Sequence, residues 1–155
     1  MNEAVAVDQI DWSVGIPMTA GPYFVGLYQP SPETAGFWEG VTAGEIRLKE
    51  CKSCGRLWHP KRIVCTHCSS TDMGWKKAAG TGEVYSFSEV HRTPSPVFEA
   101  SAPYTVGVVR LDEGVHLFTR FVCEPGSLQI GTRVGAEFKR MESGQLMPVF
   151  VAGGR

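Results

Sequence analysis

The chain has 155 residues, a formal net charge of −1, 43% hydrophobic and 20% charged residues, and 18 Gly with 10 Pro. That balance fits one ordinary soluble domain, or a small domain joined to a metal-stapled module, built from short strands and turns rather than long helices. It gives no electrostatic reason for nucleic-acid binding, no apolar run is long enough to span a membrane, and no basic stretch followed by an apolar core opens the chain, so a soluble, cytoplasmic protein is expected.

The charge is unevenly spread. Residues 1–43 hold five acids (Glu3, Asp8, Asp11, Glu33, Glu39) and no Lys or Arg, whereas residues 44–80 hold eight bases against three acids. Residues 1–30 have glycines, prolines and aromatics without a steady period, as in an extension that packs on its own body or on a partner. From Pro32 to Ala43 the pattern predicts a helix. Ser31 can cap it, Pro32 suits its first position, Glu33 suits the positive end of its dipole, and Gly44 closes it. Phe37, Trp38 and Val41 then share one face. GEIRLKEC follows as a strand, with Ile46 and Leu48 on one side.

Cys51-x-x-Cys54 and Cys65-x-x-Cys68 come next, ten residues apart. A two-residue spacer lets both sulfurs of a pair reach one ion while backbone amides point at the sulfurs, and two such pairs predict one tetrahedral Zn²⁺. A disulfide is disfavoured in a reducing compartment, and a redox C-x-x-C has no reason to occur twice. His59 and His67 lie near enough to replace a ligand, but four spaced thiolates already satisfy the ion. A four-sulfur shell leaves no open position, so the site is structural rather than catalytic. The four thiolates and the ion carry −2 together, which offsets part of the basic charge of this segment. Gly55 sits where the first pair needs a left-handed turn.

Trp75 opens a short strand near the end of this module, and Gly80-Thr81-Gly82 marks a boundary. Five strand-like runs follow: EVYSFSEVHR, YTVGVVRLD, VHLFTRFV, RVGAEFKRM and LMPVFVA. Each is rich in Val, Phe, Tyr and Thr, and Asp112-Glu113-Gly114 forms a hairpin turn between the second and third. Five short strands in so few residues predict a small closed barrel whose aromatics mostly alternate as core. The division is residues 1–30 extension, 31–44 helix, 45–79 zinc module and 80–155 barrel. Cys123 lies in an apolar run and reads as an inert buried thiol rather than a nucleophile.

From about residue 31 onward the chain resembles the zinc-ribbon/OB-fold proteins associated with acyl-CoA metabolism, which stand beside thiolase-like enzymes. The matching residues begin with Phe37-Trp38-Glu39-Gly40, Cys51-x-x-Cys54-Gly55 and Pro60-Lys61-Arg62-x-x-Cys65-x-x-Cys68. They continue through Gly80-x-Gly82-x-Val84-Tyr85-Ser86-Phe87, Ala102-Pro103-Tyr104, Val109-x-Leu111-Asp112-Glu113-Gly114 and Ile130-Gly131-x-x-Val134. The second knuckle departs from the pattern, with Thr66 where proline is common and Ser69-Ser70 where Gly-Ser is common. The resemblance implies a mainly β fold of N-terminal helix, rubredoxin-like zinc ribbon and C-terminal OB-fold barrel. It also implies a non-catalytic subunit that stabilises a thiolase-type partner and helps hold the CoA thioester, the partner carrying the catalytic Cys and His.

Nothing in the sequence offers an active site of its own. The serines lack a nucleophile elbow, the acids lack a convincing pair, and neither a P-loop nor a dinucleotide fingerprint is present. His116 reads as a barrel-surface residue. Lys61, Arg62 and Arg92 suit CoA phosphates, and the alternative is solvated surface charge. His91, at a strand end beside a Pro-rich loop, can face the same ligand, and Phe98 and Tyr104 can line an acyl or pantetheine channel or simply pack on the barrel end. Tyr23, Phe24, Tyr28, Phe37 and Trp38 are the candidate anchors for the partner, the alternative being that residues 1–30 wrap the basic ribbon. Two other functions stay open: a single-stranded nucleic-acid-binding module, since OB folds and zinc ribbons both serve that role, and a purely structural chaperone subunit without ligand contact.

Overall fold

The computed structural model describes residues 31–92, 102–140 and 146–153, so Tyr23, Phe24, Tyr28 and Phe98 lie outside the described residues. The chain enters through a 3₁₀ turn, Pro32–Thr34, and only then becomes α-helical, in α1, Ala35–Thr42. The predicted single helix is thus split. Thr34 closes the short turn by donating its amide to the Ser31 carbonyl (2.9 Å) while its Oγ1 accepts from the Ser31 amide (2.9 Å). Val41 of α1 is fully buried, and Phe37 packs against the core with its ring edge-on to Trp38 at 5.3 Å. Gly36 lets the helix lie directly on the Trp75 indole. A Cβ there would sit 2.4 Å from the indole nitrogen. The Lys49 ammonium lies 3.9 Å from the centre of the same ring.

The ribbon is a three-stranded antiparallel sheet in the order β2-β1-β3, with β1 Arg47–Cys51, β2 Leu57–Trp58 and β3 Met73–Lys77. The five runs beyond it form β4 Thr81–Val90, β5 Tyr104–Leu111, β6 His116–Val122, β7 Arg133–Arg140 and β8 Leu146–Ala152. They close into a barrel in the order β4-β5-β6-β8-β7, which is the Greek-key arrangement of an OB fold. The one parallel pairing joins β6 to β8, Phe121 opposite Phe150 and Val122 opposite Val151. Ribbon and barrel share one core. Ile46, Leu48 and Ala78 belong to the same buried cluster as Val84, Val109 and Phe150. At β4–β5 the backbones approach so closely that a Cβ on Gly107 would meet the Ser86 carbonyl oxygen at 2.1 Å, which requires glycine there.

A bulge interrupts β4. Val84 pairs with Val109 and Ser86 with Val108, leaving Tyr85 unpaired between them. Val84 is fully buried and Phe87, three residues on, also packs against the core, a spacing that period-two alternation alone cannot give. The extra residue turns Tyr85 outward, 53% exposed, and Phe118 on β6 is 52% exposed. The expectation that the barrel aromatics mostly serve as core holds for Phe121 and Phe150 and fails for these two. His116 is exposed, as expected, and opens β6 rather than standing in its middle.

The barrel seam where β4 meets β7 is tied by Asp112. Both guanidinium nitrogens of Arg133 donate to its carboxylate (2.6 and 2.9 Å), and Thr81 Oγ1 donates to Oδ2 at 2.5 Å. The Arg133 guanidinium first, and Thr81 second, pull the Asp112 carboxyl from its ordinary 3.8 down to about 2. A depressed acid contributes stability above its unfolded-state value and loses it as pH falls through the folded one. Asp112→Asn is therefore expected to lower the urea midpoint at neutral pH, with the deficit relative to the parent shrinking as pH falls from about 4 towards 2. A deficit of constant size across that window contradicts the assignment.

Candidate metal centre and surrounding surfaces

Cys51 ends β1 and Cys54 follows in a tight knuckle. Cys65 and Cys68 occupy a second knuckle between β2 and β3. The two knuckles repeat one hydrogen-bond pattern. The Gly55 amide donates to the Cys51 carbonyl (2.7 Å) and the Cys51 amide to the Arg56 carbonyl (2.9 Å). In the second, the Ser69 amide donates to the Cys65 carbonyl and the Cys65 amide to the Ser70 carbonyl, both at 2.9 Å. Each knuckle needs a left-handed residue at the equivalent place. Gly55 supplies it at φ 72°, and Ser69 is forced into it at φ 58°. Ser70 then links the knuckles, its Oγ accepting from Ser53 Oγ at 2.8 Å and from the Asp72 amide at 3.1 Å.

The geometry fits zinc. The four sulfurs all lie within 4.8 Å of one another, with Cys51 to Cys68 at 3.5 Å and Cys54 to Cys65 at 3.6 Å. Four Zn–S bonds of about 2.3 Å in a tetrahedron place the sulfurs about 3.8 Å apart. Burial opposes ionising Cys65, but the amides of Cys68 and His67 outweigh it and hold that thiol at about 6. At Cys68 the Ser70 amide favours the thiolate, yet the Cys51 sulfur, burial and the other two sulfurs push the thiol up to about 12. Four adjacent sulfurs do not all ionise by themselves. A divalent cation removes that conflict, and its affinity falls as pH falls because protons compete for the same sulfurs. The cluster consists of the four cysteines, with His59 and His67 outside it. The ion supplies a cross-link between two knuckles and no open coordination position.

The remaining predicted residues fall in two places. Lys61 and Arg62 are exposed on the connection between the knuckles. The Lys61 amide donates to His59 Nδ1 at 3.2 Å, and the Arg62 guanidinium lies 5.7 Å from the Trp58 ring centre. His91 and Arg92 follow β4 at one end of the barrel, where Val90 pairs with Tyr104, and His91 Nε2 stands 3.4 Å from Glu89 Oε2. Tyr104 is capped by the Arg120 guanidinium at 4.8 Å. Tyr104, Glu89, Thr105, Arg120 and Cys123 line a cavity of about 20 Å³, room for about one water. Burial pushes the Cys123 thiol up, and Thr105 Oγ1 lies 3.8 Å from its sulfur, which is the opposite of an activated nucleophile.

Sequence reasoning missed an outward-facing aromatic group on the barrel. The Tyr85 and His116 rings pack edge-on at 4.5 Å, and Phe118 lies two residues beyond His116 on the same face of β6. It also missed Ile63 and Val64, 60% and 38% exposed beside the basic pair of the ribbon. Ile63 and Val64 were visible as an apolar pair in a polar loop, whereas Tyr85 needed the bulge to be known.

Residues 38–74 match the ChsH2 rubredoxin-like zinc ribbon domain, and residues 75–139 match the ChsH2 C-terminal OB-fold domain. A chain of the solved Ltp2-ChsH2(DUF35) aldolase superposes with a TM-score of 0.74 at 33% identity, over 81% of this chain and 100% of that one. The chain belongs to the ChsH2/DUF35 family. Among curated relatives, this ChsH2/DUF35 protein is 37% identical over 116 residues to the probable enoyl-CoA hydratase alpha subunit of Thermomonospora curvata, a stretch that is 74% of this chain and 36% of that one. It is 29% identical over 84 residues to the benzoylsuccinyl-CoA thiolase subunit BbsA of Thauera aromatica, 54% of this chain and 56% of that one. The chain therefore spans about a third and about half of the length of these two relatives.

The strained Ser69 yields a direct test. Ser69→Gly removes a left-handed backbone cost of roughly 1–2 kcal/mol and adds unfolded-state entropy worth roughly 0.5–1. The expected net gain is about 0.5–1 kcal/mol, read as a higher urea midpoint of the zinc-loaded protein. An unchanged or lowered midpoint contradicts it.

Proposed function

We propose that this chain is the non-catalytic, zinc-bearing subunit of a thiolase-type acyl-CoA enzyme, working in the cytoplasm. It stabilises the catalytic subunit and helps seat the CoA thioester. The observation that carries this reading is its agreement, over the whole length of the other chain, with a ChsH2(DUF35) chain of a two-component aldolase. Likeness to a subunit of a CoA thiolase supports the same reading.

The surfaces agree with a partner-binding role. Tyr85 and Phe118 on the barrel and Ile63 and Val64 on the ribbon are large apolar groups left in water, as in surfaces that meet another protein. Tyr23, Phe24, Tyr28, Phe37 and Trp38 are the further aromatics proposed to meet the partner. Lys61, Arg62 and Arg92 meet the CoA phosphates, and His91, Phe98 and Tyr104 border the pantetheine at the partner's active-site mouth. The cavity beside Tyr104 has room for about one water, and the proposed channel lies between the two subunits. Among the described residues the zinc site and the weakly acidic Cys123 offer no nucleophile–base pair, and no acyl-CoA turnover is expected of this chain alone.

The exposed Tyr85 and Phe118 also favour a second reading, stacking of single-stranded nucleic acid on the OB face. That reading requires free cations beside the aromatics. Arg110, on the strand between them, is instead ion-paired with Glu83.

The test is co-expression with a thiolase-like catalytic subunit. The two chains are expected to co-purify at fixed stoichiometry, with turnover only in the complex. Tyr85→Ser combined with Phe118→Ser should weaken the complex by about 2 kcal/mol, roughly thirtyfold, with zinc content unchanged. Thiolysis by the pure subunit, or no complex with any thiolase-like subunit, overturns the function. Unchanged affinity in the double variant overturns the interface.

A further inference from the structure

We infer that the β5–β6 turn, Asp112-Glu113-Gly114, is a latch that aims the zinc ribbon relative to the barrel. The connection between the two is three residues long, 78–80, between the end of β3 and the start of β4. Its first residue is held by the ribbon side, the Ala78 amide donating to the Ile46 carbonyl at 2.8 Å. Its last is held by the barrel, the Gly80 carbonyl accepting from the Ala136 amide at 2.7 Å. The middle amide, Ala79, donates to a side chain, Glu113 Oε1, at 2.6 Å. The neighbouring Asp112 is fixed in turn by Thr81 and Arg133, and its own amide donates to the Thr81 carbonyl at 3.1 Å. Gly114 at φ 80° closes the turn, with its amide on the Leu111 carbonyl at 2.8 Å. A single turn of the barrel thus holds both the middle of the connection and the first residue of β4.

The energetics separate aiming from holding. Ile46 and Leu48 are almost wholly buried in the shared core, which holds the ribbon's root on the barrel. The Glu113–Ala79 contact is directional. A single exposed hydrogen bond adds little to stability, so what it fixes is orientation.

The experiment uses the full zinc-loaded chain, with residual dipolar couplings and amide exchange read by NMR. In the parent, residues 45–77 should align as one body with residues 81–92, 102–140 and 146–153. Glu113→Ala should speed exchange of the Ala79 amide at least tenfold and lower the alignment magnitude of the ribbon below that of the barrel, while the urea midpoint and zinc content stay unchanged. Glu113→Gln, which keeps an acceptor oxygen, should restore most of both signals. Unchanged Ala79 exchange, or a ribbon still aligned as one body with the barrel in Glu113→Ala, overturns the inference. A fallen urea midpoint or an unfolded Glu113→Ala also overturns it, because the turn would then be holding the fold and not aiming the ribbon.

Discussion

The ribbon exists because four sulfurs share one ion. Its strands are five, two and five residues long, and its buried side chains other than the cysteines gather at the end nearest the barrel. The knuckle end has no apolar core of its own. Backbone hydrogen bonds shape each knuckle locally, while the knuckles are tied to each other by the Lys52 amide on the Asp72 carbonyl, by Ser53 on Ser70 and by the four sulfurs that share the ion. Small modules of this kind draw folding free energy from the ion itself, on the order of 10 kcal/mol in isolated zinc-binding peptides. Everything the ribbon presents, including Lys61, Arg62, Ile63 and Val64, is therefore positioned by the zinc.

The barrel has the opposite economy. Its order is set by hydrophobic burial on the barrel strands and by closure of β4 onto β7. The two parts are joined where Ile46, Leu48 and Ala78 enter the barrel's core, so the ribbon's root is anchored even though its tip is not self-supporting. This division suits an accessory subunit. A rigid barrel carries a metal-stiffened projection, and apolar groups stand exposed on both.

Much of this was legible because the signals were chemical and local. Two C-x-x-C pairs specify a tetrahedral site regardless of what surrounds them, and the five runs of alternating β-branched and aromatic residues fall on β4 to β8 with ends shifted by at most two residues. The misses have tertiary causes. Ser31-Pro32-Glu33 looks like the start of an α-helix, but the Thr34 side chain closes a 3₁₀ turn first. Leu57–Trp58 is too short to show periodicity and becomes a strand only by pairing with Lys49 and Glu50. The exposure of Tyr85 depends on a bulge that exists because β4 must pair with β5 and β7 at once, a constraint no local pattern carries. The residues proposed to face a ligand were the least legible, since no local pattern marks a contact with another chain.

The measurement that tests this account most directly is partner binding followed through metal removal. The chain is bound to its thiolase-like subunit, zinc is withdrawn with a chelator under reducing conditions, and the affinity is measured before, after, and on returning Zn²⁺. The account predicts that binding is lost with the zinc and returns with it, while the barrel strands keep their circular dichroism. A metal-free chain that holds its partner with unchanged affinity would contradict it.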